Sequence, residues 1–379
     1  MRLLYTSLSG TTWDVSALAK SFTWSGDYQQ AARVLILSLI WSDTDPDYPR
    51  QVIGNIDNGE MFRLFNEFGD ELFRGYVFSF RKTLGATERT YKIYDGLIYF
   101  LKSSISQNFS KITAQGVTRQ VAAEMGIPIG TMVSDAGISL SFAHIAKNAY
   151  QAIMGAWTHV STASGKKYLP RMVAGKLCVL EMGATDADRV LTASSYILQG
   201  EVSSSIEDAI TKVLIVDSKG KTLATASDGE TLTQYGLLQA SVEKQDGMDA
   251  KAQAKDLLKG ADNQMALSDI LGGPDALDLI TGNAVLVQEP NIGLHGLFYI
   301  INDTHTFSNG QHHISLGLSF EAMMDTAEIE LIKEKKKASK KRTPPPAQAN
   351  PWAAWEKYGT STNSALNART IGQVILLEQ

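Results

Sequence analysis

The chain has 379 residues, 44% hydrophobic and 20% charged, with a net charge of −5. That is the composition of a folded protein with more than one structural unit. One Cys excludes a disulfide framework, and the longest apolar run, VLILSLIW at 34–41, is too short to span a bilayer. The N-terminal MRLLYTSLSGTTWDV turns polar too early for a signal-peptide core. No membrane insertion is expected, and folding in a cytoplasm is.

Residues 1–104 read as a first β unit. SFTWSGD and ARVLILSL are short strand candidates separated by the turn-capable Gly26-Asp27. EMFRLFNEFGDELFRGYVFSFRK alternates apolar and polar residues around a turn at Gly69-Asp70, and RTYKIYD closes the set. Short strands at this spacing suggest a small barrel or sandwich.

Residues 105–174 read as a helical insert. In TAQGVTRQVAAEMGIPIG, Val117, Val121, Ala122 and Met125 recur at helical spacing before the stop signals Gly126 and Pro128. In SFAHIAKNAYQAIMGAWTHV, Phe142, Ile145, Ala149, Ile153, Trp157 and Val160 fall on one stripe, which predicts a second helix with a core-facing side. The neighbouring His144 and His159 are expected to be structural.

Residues 175–325 read as a second β unit. ITKVLIVDSKGKTLATAS predicts a hairpin. Its Gly220-Lys221-Thr222 mimics a phosphate loop, but the first glycine of that motif is replaced by Ile215. DGMDAKAQAKDLLKGAD predicts a helix ended at Gly260, and GNAVLVQEP a strand. The architecture is thus barrel, helices, barrel: mostly β with α additions.

INDTHTFSNGQHHISLGLSF, residues 301–320, gathers three of the six histidines beside Asp303 and raises the possibility of a metal or catalytic centre. Asn309-Gly310 is, however, a strong type I′ turn signal, because both central residues need φ > 0. With that turn, Ser308 faces Gln311, Phe307 faces His312 and His305 faces Ile314. Asp303, His305, Phe307, His312, Ile314 and Leu316 then share one face and His313 the other. Two diagonal histidines fall short of the three or four ligands that zinc requires, so a hairpin with polar and aromatic surface residues is expected.

Beyond residue 320, FEAMMDTAEIELIKEKKKASKKR predicts a helix fading into charge, and TPPPAQA a stiff extended linker; together residues 326–350 form a basic helix and Pro-rich linker. The run KEKKKASKKR holds six Lys and one Arg against one Glu, so the other residues together carry −11. A basic run on an acidic body argues against sequence-specific nucleic-acid binding, which spreads basic residues over a face. In the tail, residues 351–379, Asn350, Pro351 and Gly359 punctuate a short helix bearing Trp352 and Trp355, and a strand-like run carries Ile371, Val374, Ile375 and Leu377. These six apolar residues are too few to form a core and are expected to dock on a partner.

No zinc-protease HExxH, nucleophile-elbow GxSxG, dinucleotide GxGxxG or CxxC occurs. Glu60, Asp70 and Glu71 are candidates for a glycosidase pair, which would have to face each other across a cleft. No catalytic, cofactor or metal residue is assigned.

Trp24, Ser25, Gly26, Asp27, Gln30, Ala31 and Arg33, then Phe73, Gly75, Tyr94, Asp95, Leu97 and Lys102, carry a resemblance. They resemble the central baseplate hub proteins of contractile phage tails and tailocins, the PBSX XkdQ/YqbQ-like family, related to the central hub of T-even phages. GNAVLVQEPNIGLHGLFYIINDTHTFSNGQHHISLGL is similar to the closing strands of the hub's second barrel, so the likeness covers about residues 1–325. It implies a non-enzymatic virion structural protein, a homotrimer whose six barrels ring the lumen through which a genome passes. It further implies adaptation of a six-fold tail tube to a three-fold spike and nucleation of assembly. The implied partners are the central spike, the tail tube or tube initiator, the tape measure and baseplate wedge subunits. A tail-associated peptidoglycan hydrolase is the alternative.

Overall fold

In the computed structural model, which describes residues 1–244 and 249–332, apolar residues alternating along strands build the first half of one large sheet. Its strands are β1 (Arg2–Thr6), β2 (Thr12–Asp14), β3 (Ala19–Asp27), β4 (Val34–Ile40), β5 (Met61–Phe65), β6 (Glu71–Lys82) and β7 (Glu88–Asp95), with a short helix α1 (Arg50–Ile53) before β5. Leu35, Leu37 and Leu39 of β4 are buried together with Tyr91 and Ile93 of β7, while Ile36 and Ile40 stay exposed. That is the period of two expected of a sheet covered on one side. The β5–β6 hairpin turns at Gly69, as its sequence suggests, with φ of 93°. Gly26 and Asp27 do not form a turn: they end β3, and residues 28–33 link it to β4.

The intervening segment holds α2 (Leu97–Lys102), β8 (Ser104–Ile112), α3 (Ala114–Glu124), β9 (Ile129–Met132), β10 (Leu140–Asn148), α4 (Ala149–Ser164), β11 (Tyr168–Val173) and β12 (Lys176–Glu181). Val117, Val121, Ile153, Trp157 and Val160 are its buried centre. The expected second helix starts later than the stripe suggests. Asn148 has extended geometry and its side chain accepts from the Gln151 N–H, so α4 begins after it. Phe142 and Ile145 therefore belong to β10, paired with β8, and Ile145 is exposed. The insert is accordingly helices packed with two small sheets, β8–β10 and β9–β12–β11.

The second half of the large sheet is built from β13 (Asp186–Leu191), β14 (Ile197–Ser205), β18 (Asp262–Leu271), β19 (Ala284–Glu289), β20 (Leu294–Ser308) and β21 (Gln311–Ser319). Between β14 and β18 lies a small module: β15 (Lys212–Val216), β16 (Thr222–Ser227), α5 (Gly229–Tyr235), β17 (Gln239–Glu243) and α6 (Ala250–Asp256). Its core is Val213, Ile215, Ala224 and Ala254. Gly220, at φ of 78°, is the β15–β16 turn. The β20–β21 hairpin has the expected register, Ser308 opposite Gln311, Phe307 opposite His312 and His305 opposite Ile314. Asn309 and Gly310 have φ of 53° and 75°.

The two halves are joined edge to edge through β3 and β20 in one 13-stranded sheet, ordered β14-β18-β21-β20-β3-β4-β7-β6-β5-β1-β2, with β13 and β19 branching from β20. The two halves repeat one topology. β3-β4-β7-β6-β5 corresponds to β14-β18-β21-β20-β19, with every pairing antiparallel in both. The bulges coincide: the register slips between Val77 and Ser79 in β6 and between Ile300 and Asn302 in β20. At that point Val77 N–H donates to Glu60 O and Gly59 N–H to Val77 O. In the second half Ile300 N–H donates to Asn283 O and Gly282 N–H to Ile300 O. Both glycines have positive φ.

After β21 the described chain runs extended instead of helical. Met324 joins the insert core, Ala327 N–H donates to Thr158 Oγ1 at 3.2 Å, and Ile329 packs on Gly155 of α4. Leu331 then bridges Phe142, and Ile332 N–H donates to Ser141 O at 2.7 Å. Apolar residues read as a helix face are here spent on a strap over α4, whose Gly155 leaves room for the Ile329 side chain.

Candidate functional site

The joint between β3 and β20 encloses a buried polar cluster. Asp303 of β20 and Arg33, in the link after β3, form a two-pronged ion pair, Nη1 to Oδ1 at 2.9 Å and Nη2 to Oδ2 at 2.5 Å. Thr281 completes the carboxylate's shell, donating from its backbone N–H at 2.7 Å and its hydroxyl at 2.6 Å. The guanidinium carbon lies 4.3 Å from the centre of the Trp24 ring. Gly26 makes this possible: a Cβ there would lie 2.2 Å from Arg33 Nη1. Burial alone would raise the Asp303 carboxyl, but the Arg33 charge and its hydrogen bonds outweigh that and hold it below the ordinary carboxylate range.

Arg33 is tied to the first half through its backbone. Its N–H donates to Asp95 Oδ2 at 3.2 Å, and Leu97 N–H donates to Oδ1 of the same carboxylate at 3.0 Å. Burial pushes the Asp95 carboxyl up to about 7, against the pull of those two N–H groups and of the Arg33 charge. Gly75 is also sterically required, since a Cβ would meet Tyr94 O at 2.5 Å and the Phe73 ring at 2.6 Å. Trp24, Gly26, Arg33 and Asp95, residues on which the resemblance rests, therefore converge on one structural joint, and Gly75 lies opposite Asp95 on β6.

The histidine hairpin supplies the other wall. His305 is fully buried, and its Nε2 can only donate to Leu279 O at 3.0 Å. Nδ1 must then accept from His312 Nε2, 3.0 Å away. Burial first, and Arg33 second, lower the His305 pKa to about 4, although Asp303 pulls it upward. The expected polar and aromatic surface is thus interior at this point, because the neighbouring strand β3 covers it: Trp24 lies 5.0 Å from the His305 ring centre. His313 points away, as the alternation requires, and pairs with Asp269 at 2.7 Å. Among the described residues no group of three or more His, Cys, Asp or Glu could hold a metal ion.

The remaining sequence candidates are dispersed. Glu60 accepts from the Tyr5 hydroxyl at 2.6 Å, Asp70 closes the Asn66 turn, and Glu71 pairs with Arg74 at 2.8 Å. Each is engaged locally, and none faces another across a cleft. The tail residues Trp352, Trp355, Ile371, Val374, Ile375 and Leu377 lie outside the described residues. The Arg33–Asp303 pair was missed by sequence reasoning because its partners are 270 residues apart; only the quoted Trp-Ser-Gly-Asp motif marks its place. Also missed were apolar side chains exposed on strand edges that are unpaired among the described residues, Phe78 on β6 and Leu198 and Val202 on β14.

The YqbQ-like family model matches residues 22–319, from within β3 to the end of β21. The YqbQ protein of Bacillus subtilis (strain 168) is 26% identical over 317 residues, covering 81% of this chain and 93% of that protein. The phage-like element PBSX protein XkdQ of the same organism is 25% identical over 322 residues, covering 82% and 94%. The 43 kDa tail protein of prophage MuSo2 from Shewanella oneidensis has a similar fold, with a TM-score of 0.62 at 13% identity over 84% of this chain and 97% of that one. With the match enclosing both strands of the joint and both repeats, this chain belongs to the YqbQ-like family.

Proposed function

We propose that this chain is a structural protein of a phage-type tail baseplate, the central hub that three copies build as a ring. The observation that supports it is the repeated five-stranded half-sheet in a member of this family. Two similar elements per chain become six in a trimer, so one ring meets a six-fold tail tube on one side and a three-fold spike on the other. Residues 1–104 and 175–325 supply these elements, with 105–174 packed between them. Its partners are further copies, the central spike, the tail tube or its initiator, the tape measure and baseplate wedge subunits. It nucleates their assembly in the host cytoplasm and remains in the virion tail baseplate, with no part in catalysis.

Segments 326–350 and 351–379 extend this role. Seven residues of Pro-rich linker, 343–349, span up to about 22 Å at polyproline rise. Trp352 and Trp355 anchor on the spike or a neighbouring hub, and the run Ile371 to Leu377 adds a strand to an exposed sheet edge there. Deleting 343–379 should leave a folded trimer and reduce the yield of spike-bearing baseplates; complete baseplates at normal yield would overturn the docking role. Light scattering on the full chain should give a trimer mass. Lysis of cell wall in a zymogram, lost in His305→Ala or His312→Ala, would instead establish the hydrolase reading.

A further inference from the structure

The internal repeat implies where a second copy attaches. In the joint within the chain, β20 uses one edge twice: its first part pairs β19 and its second part, Asn302–Ser308, pairs β3. β6 is the counterpart of β20, and its first part pairs β5 in the same way. The same edge from Phe78 to Lys82 meets no strand among the described residues. β14 is the counterpart of β3, and its edge away from β18 is equally unpaired. One chain therefore carries one completed joint and both halves of a second. The exposure of matching positions agrees: Trp24 is 2% exposed, whereas its counterpart Val202 is 43% exposed. Unpaired edges with apolar side chains are templates for strand addition.

We infer that β14 of one copy pairs antiparallel with the Phe78–Lys82 part of β6 in the next copy, repeating the β3–β20 joint between chains. This rests on the homo-oligomeric reading and names its interface. Superposing the two repeats through their coincident bulges fixes the register. Asp27 opposite Asn302 becomes Ser205 opposite Ser79, and Trp24 opposite His305 becomes Val202 opposite Lys82. The hydrogen bond from Tyr28 N–H to Ile301 O becomes one from Ile206 N–H to Phe78 O. This register also sets Glu201 diagonal to Arg81 on one face, a favourable cross-strand charge pair. A joint between unlike edges turns every copy in the same sense, so it builds a ring when the rotation closes.

The test is a disulfide across the joint in the full-length chain, Ser79→Cys with Ser205→Cys. Opposed antiparallel residues have Cα atoms about 4.5–5.5 Å apart, within disulfide range, and the native Cys178 is buried. Mild oxidation should convert most chains into an interchain ladder on a non-reducing denaturing gel. Each single variant, and the off-register Ser79→Cys with Leu198→Cys, should give none. A wild-type oligomer whose double variant stays reduced would overturn the joint and leave the hub reading standing, and so would single variants that bridge equally well. A wild-type chain that is monomeric both in solution and in assembled particles would remove the homo-oligomer and the joint together. As a second readout, Val202→Lys sets a like charge against Lys82 and should raise the dissociation constant about tenfold; an unchanged constant would count against the register.

Discussion

The β3–β20 joint and the core of the insert are both closed to water but are held by different physics. The insert is apolar around Trp157, whose one polar atom donates to Thr118 Oγ1 at 3.0 Å. The joint buries Arg33, Asp95, Asp303 and His305 against one another. Dispersion and hydrophobic packing degrade gradually as atoms are removed. A buried ionic cluster fails abruptly, because the surviving partner keeps its charge without its counterion. The insert thus stabilises by volume, whereas the joint holds two half-sheets in one register through interactions that no shifted register satisfies.

The largest expected effect breaks this contrast directly. Asp303→Ala strands the Arg33 guanidinium and should cost about 3–5 kcal/mol, while Ile153→Val in the insert should cost about 0.5–1.5 kcal/mol. Replacing both partners, Asp303→Leu with Arg33→Met, should recover most of the loss, since the penalty lies in the unpaired charge. Denaturant titrations of the four proteins decide it. If Asp303→Ala costs no more than Ile153→Val, the joint is not the stringent element described.

The next effect sharpens the contrast through pH. His305 has its pKa lowered to about 4, so between about 6.5 and 4 the unfolded chain binds a proton that the folded chain refuses. Stability is then lost as pH falls through that window, by up to about 3 kcal/mol. Asp95 is raised to about 7, so between about 7 and 4 the folded chain binds the extra proton, and falling pH stabilises. The two slopes oppose each other in the wild-type joint. His305→Asn should leave a protein that gains stability on acidification from pH 7 to 5, and Asp95→Asn one that loses it. Identical pH profiles for the two variants would show that these groups do not titrate as their burial dictates.

The third effect concerns the hairpin that delivers the histidines. Gly310→Val places a β-branched residue at φ of 75° and should cost about 1–2 kcal/mol, read as a shift in the denaturation midpoint. No shift would mean that the turn is not set by its positive φ.

This hairpin also marks how far the sequence could be read. Asn309-Gly310 specifies a turn by local sterics, and alternation then assigns every side chain of β20 and β21 to a face, so the register was legible from twenty residues. The α3 stripe was legible for the same reason. What closes over Asp303 and His305 was not: β3 arrives from the far end of the chain, and without it the inward face reads as surface. β10 was misread because Phe142 and Ile145 continue the helical spacing of α4 by chance. The strap at 320–332 was misread because its apolar residues serve a surface already folded, not a helix of its own.

The smallest expected effect isolates face from chemistry. His312 and His313 are adjacent, yet His312 hydrogen-bonds the buried His305 while His313 leans outward to Asp269, with side chains 38% and 31% exposed in that pair. A hydrogen bond so open to water contributes little, and His313→Ala should shift stability by no more than about 0.5 kcal/mol. His305→Ala leaves Leu279 O and His312 without their buried partner, and should cost at least about 1–3 kcal/mol. Equal losses from the two substitutions would mean that β20 and β21 present their faces the other way round, and with them the whole joint.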